Sequence, residues 1–387
     1  MLNITTFDKI IAYLILAYAL AVGTSRGGIH TVPALLALLC IIRYLTQPYA
    51  IPIEPPLKRA FLIFFGSIFL SLIFSHDIVA SAKSFVMHLY MFIPFLAAVK
   101  FLHHKDNINR FVFFSTFSLL AGSLVTIYQG LSGITRASGF FGIMDFAGVL
   151  GLLIPVIIAH AVTNDTMKRN TRIFLLIVSF IAMLALLYNG TRGVWVSTIA
   201  TIAILTLLEL GRNKKILFYS LFLSICLVTF IYHNDAFWYR IQTIPNTTSF
   251  NSNLERLMMW KYAAETFYSH PLFGVGLGAF LSFPFPGSIQ EYGHVHNNIL
   301  QILAMSGIIG LVGYFYLMGT ICLQAYKKSS IPDLRVWGLT IILCTTELII
   351  HGMFDYTFVM GPVMYTYSFL IGISFAAFAI RDEERHN

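Results

Sequence analysis

The chain is 387 residues long, 57% hydrophobic and only 11% charged, with a mean hydropathy of +0.77 and a formal net charge of +8. Soluble domains carry about 25% charged residues, so the composition excludes an ordinary soluble domain and points to a polytopic membrane protein. The positive charge does not indicate nucleic acid: no basic stripe is interleaved with aromatics, and most cations lie in short loops between apolar runs.

A bilayer-spanning helix needs about 20 apolar residues. Twelve segments meet this: 7–23, 29–46, 59–75, 82–102, 110–131, 144–162, 172–188, 193–210, 214–232, 296–325, 333–353 and 357–380. Ala17-Tyr18-Ala19 has the form of a signal-peptidase site, but its basic region is only Lys9, so the first segment is read as an uncleaved membrane helix. Short Pro-, Gly- or charge-bearing connectors such as Gln47-Pro48 separate the spans. No internal repeat stands out, which weighs against an inverted-repeat transporter. Cys40, Cys226, Cys322 and Cys344 all sit inside or beside apolar runs, against a disulfide framework or a Cys-based zinc site.

The expected fold is an all-α membrane domain over residues 1–387, with a long polar loop (233–295) between the ninth and tenth spans. Seven of the 25 Lys and Arg residues fall on one side of this topology (Arg26, Lys83, Arg136, Arg192, Arg240, Arg256 and Lys261), and the other 18 on the opposite side. Lys and Arg accumulate on the cytoplasmic face, so both termini are expected in the cytoplasm and the long loop outside.

The external side nevertheless keeps an arginine in nearly every turn: Arg26 before Gly27-Gly28, Arg136 within Thr135–Gly139, Arg192 within Asn189–Gly193. Snorkelling or helix capping accounts for any one of them. Three held in Gly-flanked turns at helix mouths point instead to guanidinium groups that grip a phosphate or pyrophosphate. There is no GxxxxGK[ST] run, and the glycines of 274–278 lack a strand–helix setting, so a lipid-linked phosphate is expected rather than a nucleotide.

The long loop also carries Glu255, Arg256, Lys261, Glu265 and Glu291, and ends on His294-Val295-His296-Asn297-Asn298. On a helix, His294 and His296 would face apart and could not form a same-face metal pair, so no metal is expected. With a helix starting near His294, His296 falls in its first turn, where the helix dipole favours the neutral imidazole that accepts a proton. The alternative is that it only ties loop to helix. Glu347, His351 and Asp355 follow at i, i+4, i+8 as one polar stripe rising to the external face. Such a stripe is a functional candidate in a membrane span, or else a packing element paired with neighbouring arginines.

His296-Asn297, nine residues, then Gly307-Ile308-Ile309-Gly310 resembles the signature of the bacterial O-antigen ligases, with Leu311 where Thr, Ile or Val is usual. Arg256 four before Trp260, followed by Pro271–Gly278, is similar to that family's external-loop pattern. Arg192-Gly193-Val194-Trp195 resembles its Arg-Gly-x-Trp turn, and Arg136 with Gly139-Phe140 its fifth-to-sixth connector. These pieces span 136–311, and the span plan covers the whole chain.

The resemblance implies a GT-C-type glycosyltransferase fold in a Gram-negative inner membrane. The implied reaction moves a glycan from undecaprenyl pyrophosphate to a sugar hydroxyl of lipid A-core on the periplasmic face, with inversion and without metal, ATP or other cofactor. His296 is then the catalytic base. Arg136, Arg192 and Arg256, with Arg26 as a fourth member, hold the donor pyrophosphate, and His294, Asn297, Glu347, His351 and Asp355 support the site. The implied partners are the lipid-linked donor, lipid A-core and membrane lipids, with no nucleic acid. Competing readings are an O-antigen polymerase, a protein O-oligosaccharyltransferase (commonly longer, with an added external domain) and, from another class, a transporter of lipid-linked sugars.

Overall fold

The computed structural model describes residues 4–242, 251–281 and 294–386; Glu291 of the polar loop lies outside them. In chain order the α-helices are α1 (Ile4–Ala21), α2 (Arg26–Thr46), α3 (Pro55–Ile73), α4 (Ile78–Met91), α5 (Ile93–Phe101), α6 (Lys105–Leu131), α7 (Ile143–Thr163), α8 (Arg169–Asn189), α9 (Arg192–Glu209), α10 (Lys215–Tyr232), α11 (Asp235–Gln242), α12 (Asn251–Ser269), α13 (Asn298–Ser329), α14 (Arg335–His351) and α15 (Gly361–His386). No strand occurs among the described residues. The protein is an all-α polytopic membrane protein.

Among the described residues, eleven helical segments are long and apolar enough to cross a membrane. The expected first span, α1, is helical and packs against α2, α5 and α6. The expected span 82–102 is two helices, α4 and α5, broken at Phe92 before Pro94, because a proline ring removes a donor and clashes with the preceding turn.

Burial separates the helices into centre and rim. The apolar window of α7 is 94% buried and that of α15 is 89% buried, against 17% for α10. α7 packs against α8, α9, α14 and α15, and α13 against α3, α12 and α14. Glycines on α7 let polar side chains of α14 enter this centre: Cβ atoms at Gly148 and Gly151 would lie 3.2 Å from the His351 ring and 2.4 Å from the Glu347 carboxylate.

At the end of the bundle holding the starts of α1, α6 and α14, cations are paired locally. Arg43 meets Asp8 at 2.8 Å, Lys328 meets Asp382 at 2.6 Å, Lys105 meets Glu384 at 2.8 Å, and Arg335 pairs with the buried Glu209. The opposite end is different.

Candidate active site

α13 begins later than its apolar pattern implies. Asn297 is its N-cap, with its side-chain oxygen accepting from the Leu300 N–H at 3.0 Å. His296 therefore stands before the helix, with a left-handed φ of 51°, and is not in the first turn.

The flanking asparagines stitch this segment to the turn after α14. Asn297 Nδ2 donates to the Met353 carbonyl at 3.2 Å, Asn298 Nδ2 to Thr357 Oγ1 at 2.8 Å, and the Thr357 N–H to Asn298 Oδ1 at 2.9 Å. Gln301 Oε1 accepts from the Val295 N–H at 2.8 Å, and Trp260 on α12 donates to the Val295 carbonyl at 2.9 Å. The consequence is that His296 Nδ1 lies 2.9 Å from Asp355 Oδ1, with side-chain exposures of 16% and 6%.

Asp355 is past the end of α14, whose C-cap is Gly352, so the stripe expected from Glu347 to Asp355 is helical only as far as His351. Burial pushes the Asp355 carboxyl up, but the hydrogen bond and charge of His296, then His351, outweigh it and hold the group at about 2. An ionised Asp355 takes the Nδ1 proton of His296 as a hydrogen bond and leaves Nε2 as the basic nitrogen.

His294 does not face away from His296. The two rings are edge-to-face at 4.3 Å, because the segment is not helical and the two-residue spacing loses its helical meaning. Burial, then the neighbouring His296, lowers the His294 pKa, and its Nδ1 is buried without a hydrogen-bond partner. Ligand atoms of His294, His296 and Asp355 all lie within 4.8 Å of one another, so these three are where a divalent ion would be held.

The arginine turns are fastened to one another. Buried Asn189 donates to the carbonyls of Ala137 and Ile143, both at 2.9 Å. Gly190, at φ 74°, ends α8 so that Arg192 opens α9. Arg136 Nη2 and Thr191 Oγ1 both reach Met144 Sδ, at 3.6 and 3.7 Å. A Cβ on Gly193 would meet Phe354 at 2.7 Å, which seats the Arg192 turn against the Asp355 turn. Arg256, half-buried on α12, has its pKa lowered by burial and by Arg136, against an opposing effect of Asp355. Arg136 and Arg256 make no ion pair among the described residues, in contrast to the cations at the far end of the bundle. Two mutually repelling guanidiniums stabilise a bound anion because the anion removes their repulsion.

α12 is held over the site by a repair of α13. Gly307 breaks that helix with φ 63° and ψ −166°. The segment after α12 supplies the missing bonds: Val275 and Gly276 N–H donate to the Ala304 and Met305 carbonyls at 3.0 and 2.9 Å, and Ile308 N–H donates to the Pro271 carbonyl at 2.9 Å. A Cβ on Gly307 would lie 2.2 Å from the Leu272 oxygen. The motifs at 271–278 and 307–310 are therefore the two halves of one contact.

Of the expected residues, His294, His296, Asn297, Asp355, Arg136, Arg192 and Arg256 are brought together. Glu347 is not among them: two turns deeper and 1% exposed, it accepts from Ser197 at 2.5 Å and Thr201 at 3.1 Å, clasping α14 to α9. His351 sits between, close enough to act on the Asp355 charge. Arg26 is exposed, at the start of α2. Asn298 and Gln301 carried no motif to single them out, although a run of amides before an apolar helix is a recognisable capping signal.

Residues 174–315 match the family model described as O-antigen ligase. No curated protein matches the chain.

Proposed function

Taking as premise that the chain belongs, through residues 174–315, to the O-antigen ligase family of membrane enzymes, we propose that it is the ligase itself. It transfers a glycan from undecaprenyl pyrophosphate to a sugar hydroxyl of lipid A-core at the outer face of the inner membrane, on a GT-C-type helical scaffold. The observation that carries this reading is the His296–Asp355 pair lying beside the Arg136/Arg256 charges.

The acceptor hydroxyl approaches His296 Nε2, which takes its proton as the oxygen attacks the anomeric carbon. The bond from that carbon to the pyrophosphate oxygen breaks, and both electrons leave with the pyrophosphate, whose charge Arg136, Arg192 and Arg256 balance. A single displacement inverts the anomeric centre. Asp355 touches no substrate; it orients the imidazole and stabilises the imidazolium that forms. The energy comes from the departing pyrophosphate.

The test is purified protein in vesicles with lipid-linked donor and lipid A-core. Glycan appearing on lipid A-core supports the reading. Elongation of the glycan on its own carrier instead establishes a polymerase, and transfer to neither overturns the proposal.

A further inference from the structure

We propose that His76 and His270 form a surface site for one divalent transition-metal ion of the zinc type, which clips the end of α12 to the turn after α3. The site is separate from the His294–His296–Asp355 cluster and does not depend on the ligase reading.

His76 stands in the turn after α3, and His270 immediately follows α12. Contacts between the two segments fix both places. His76 N–H donates to the Val275 carbonyl at 3.0 Å, and the His270 carbonyl accepts from the Gly274 N–H at 3.0 Å. The Phe74 and Phe273 rings stack at 4.3 Å. Gly278 N–H reaches Ser81 Oγ at 3.3 Å, and that hydroxyl lies 2.7 Å from Ser75 Oγ. Two histidines 194 residues apart in the chain are thereby held with their imidazoles in contact.

The placing of the imidazoles suits a shared ion. Their Nε2 atoms are 3.1 Å apart, with ring centres 4.9 Å apart and planes at 88°. Facing head-on, as a strong N–H···N hydrogen bond prefers, rings at that separation would have centres about 5.4 Å apart. Two imidazoles bound to one tetrahedral zinc ion have nitrogens about 3.3 Å apart and ring centres about 5 Å apart, close to what is found. Imidazole nitrogen selects zinc, copper and nickel over magnesium and calcium. His76 is exposed and His270 half-buried, so an ion reaches them from water. Asp77 caps α4, its Oδ1 accepting from the Ala80 N–H at 2.9 Å. Among the described residues no third His, Cys, Asp or Glu joins the pair, and water fills the remaining positions. Two protein ligands make a weak, exchangeable site, and backbone bonds already hold the segment. The ion therefore tightens α12, and with it Arg256, without being needed for transfer.

The experiment is a calorimetric zinc titration of the full-length, detergent-solubilised protein after EDTA treatment and dialysis, with wild type, His76→Gln and His270→Gln. Glutamine keeps a hydrogen-bonding side chain but is a poor zinc ligand. The expected result is that each variant binds one zinc ion per chain fewer than wild type. No saturable zinc binding in wild type overturns the site and leaves the pair a plain hydrogen bond. A stoichiometry unchanged by both substitutions also overturns it, and assigns the ion to His294, His296 and Asp355. Bound zinc should in addition slow proteolysis between residues 251 and 281 in wild type and not in His270→Gln. Equal rates with and without zinc in wild type overturn the clip. If His270→Gln does not fold, the exposed His76→Gln carries both comparisons.

Discussion

His296 and Asp355 are 59 residues apart in the chain and 2.9 Å apart in space. Asn297 and Asn298 make that approach possible, because each bonds the segment around His296 to the turn that carries Asp355. Replacing His296 with Ala is expected to lower turnover about 10²–10⁴-fold at unchanged protein level, the range for a positioned general base. Asp355→Asn should lower it too, and should act on turnover rather than on the donor KM. A His296→Ala protein that transfers at the wild-type rate ends the assignment.

Asp355 also makes a prediction about pH and stability. Its carboxyl is held at about 2, below the ordinary 3.8. A group depressed in the folded state contributes stability that is fully present above its unfolded pKa and disappears as pH falls through the folded one, here about 2 kcal/mol between about pH 4 and pH 2. Thermal unfolding of the detergent-solubilised protein should therefore steepen with acid over that window in wild type, and less so in Asp355→Asn. Parallel curves would show that the pairing adds no folding free energy.

The arginines should divide by substrate. Arg136→Ala, Arg192→Ala and Arg256→Ala are each expected to cost about 2–3 kcal/mol of donor binding or transition-state stabilisation, as for a lost charge-assisted phosphate contact. Lysine at these positions restores charge without the planar fork and should rescue only in part. Full activity in Arg192→Ala and Arg256→Ala, measured per folded protein, would remove the clamp.

His294, His296 and Asp355 are close enough to hold an ion, so chelation decides between base and ligand roles for the imidazoles. The proposed mechanism predicts that EDTA leaves transfer unchanged. Loss of activity restored by a divalent cation would make the imidazoles ligands. His294→Ala should then be as damaging as His296→Ala, whereas under the base reading it is the milder of the two.

Gly307 lies against the backbone of Leu272 and Phe273, and Gly274 against that of residues 304–306; both glycines have positive φ. Alanine at Gly307 has a Cβ directed at the Leu272 oxygen, so it should cost about 1–3 kcal/mol and loosen the segment that fixes α12. Faster proteolysis between residues 251 and 281, along with a higher donor KM, is the expected readout. A variant with normal proteolysis would separate the kink from the placing of Arg256.

The hydropathy and charge pattern were enough to identify a polytopic α-helical membrane protein, because a spanning helix is defined within its own 20 or so residues by length and apolarity. The Gly-flanked arginine turns and the His-Asn motif were legible for the same reason: each is a contiguous stretch whose chemistry does not depend on its neighbours. What the tertiary structure decided was every relation between segments. Periodicity assigned His296 to a helix and turned His294 away from it, but capping by Asn297 and bonds to the 352–357 turn override periodicity at a helix end. Asp355 read as the third member of a helical stripe until Gly352 ended α14 and left it facing His296. Pairings across tens of residues come from packing free energy summed over the whole bundle, and no local pattern encodes them.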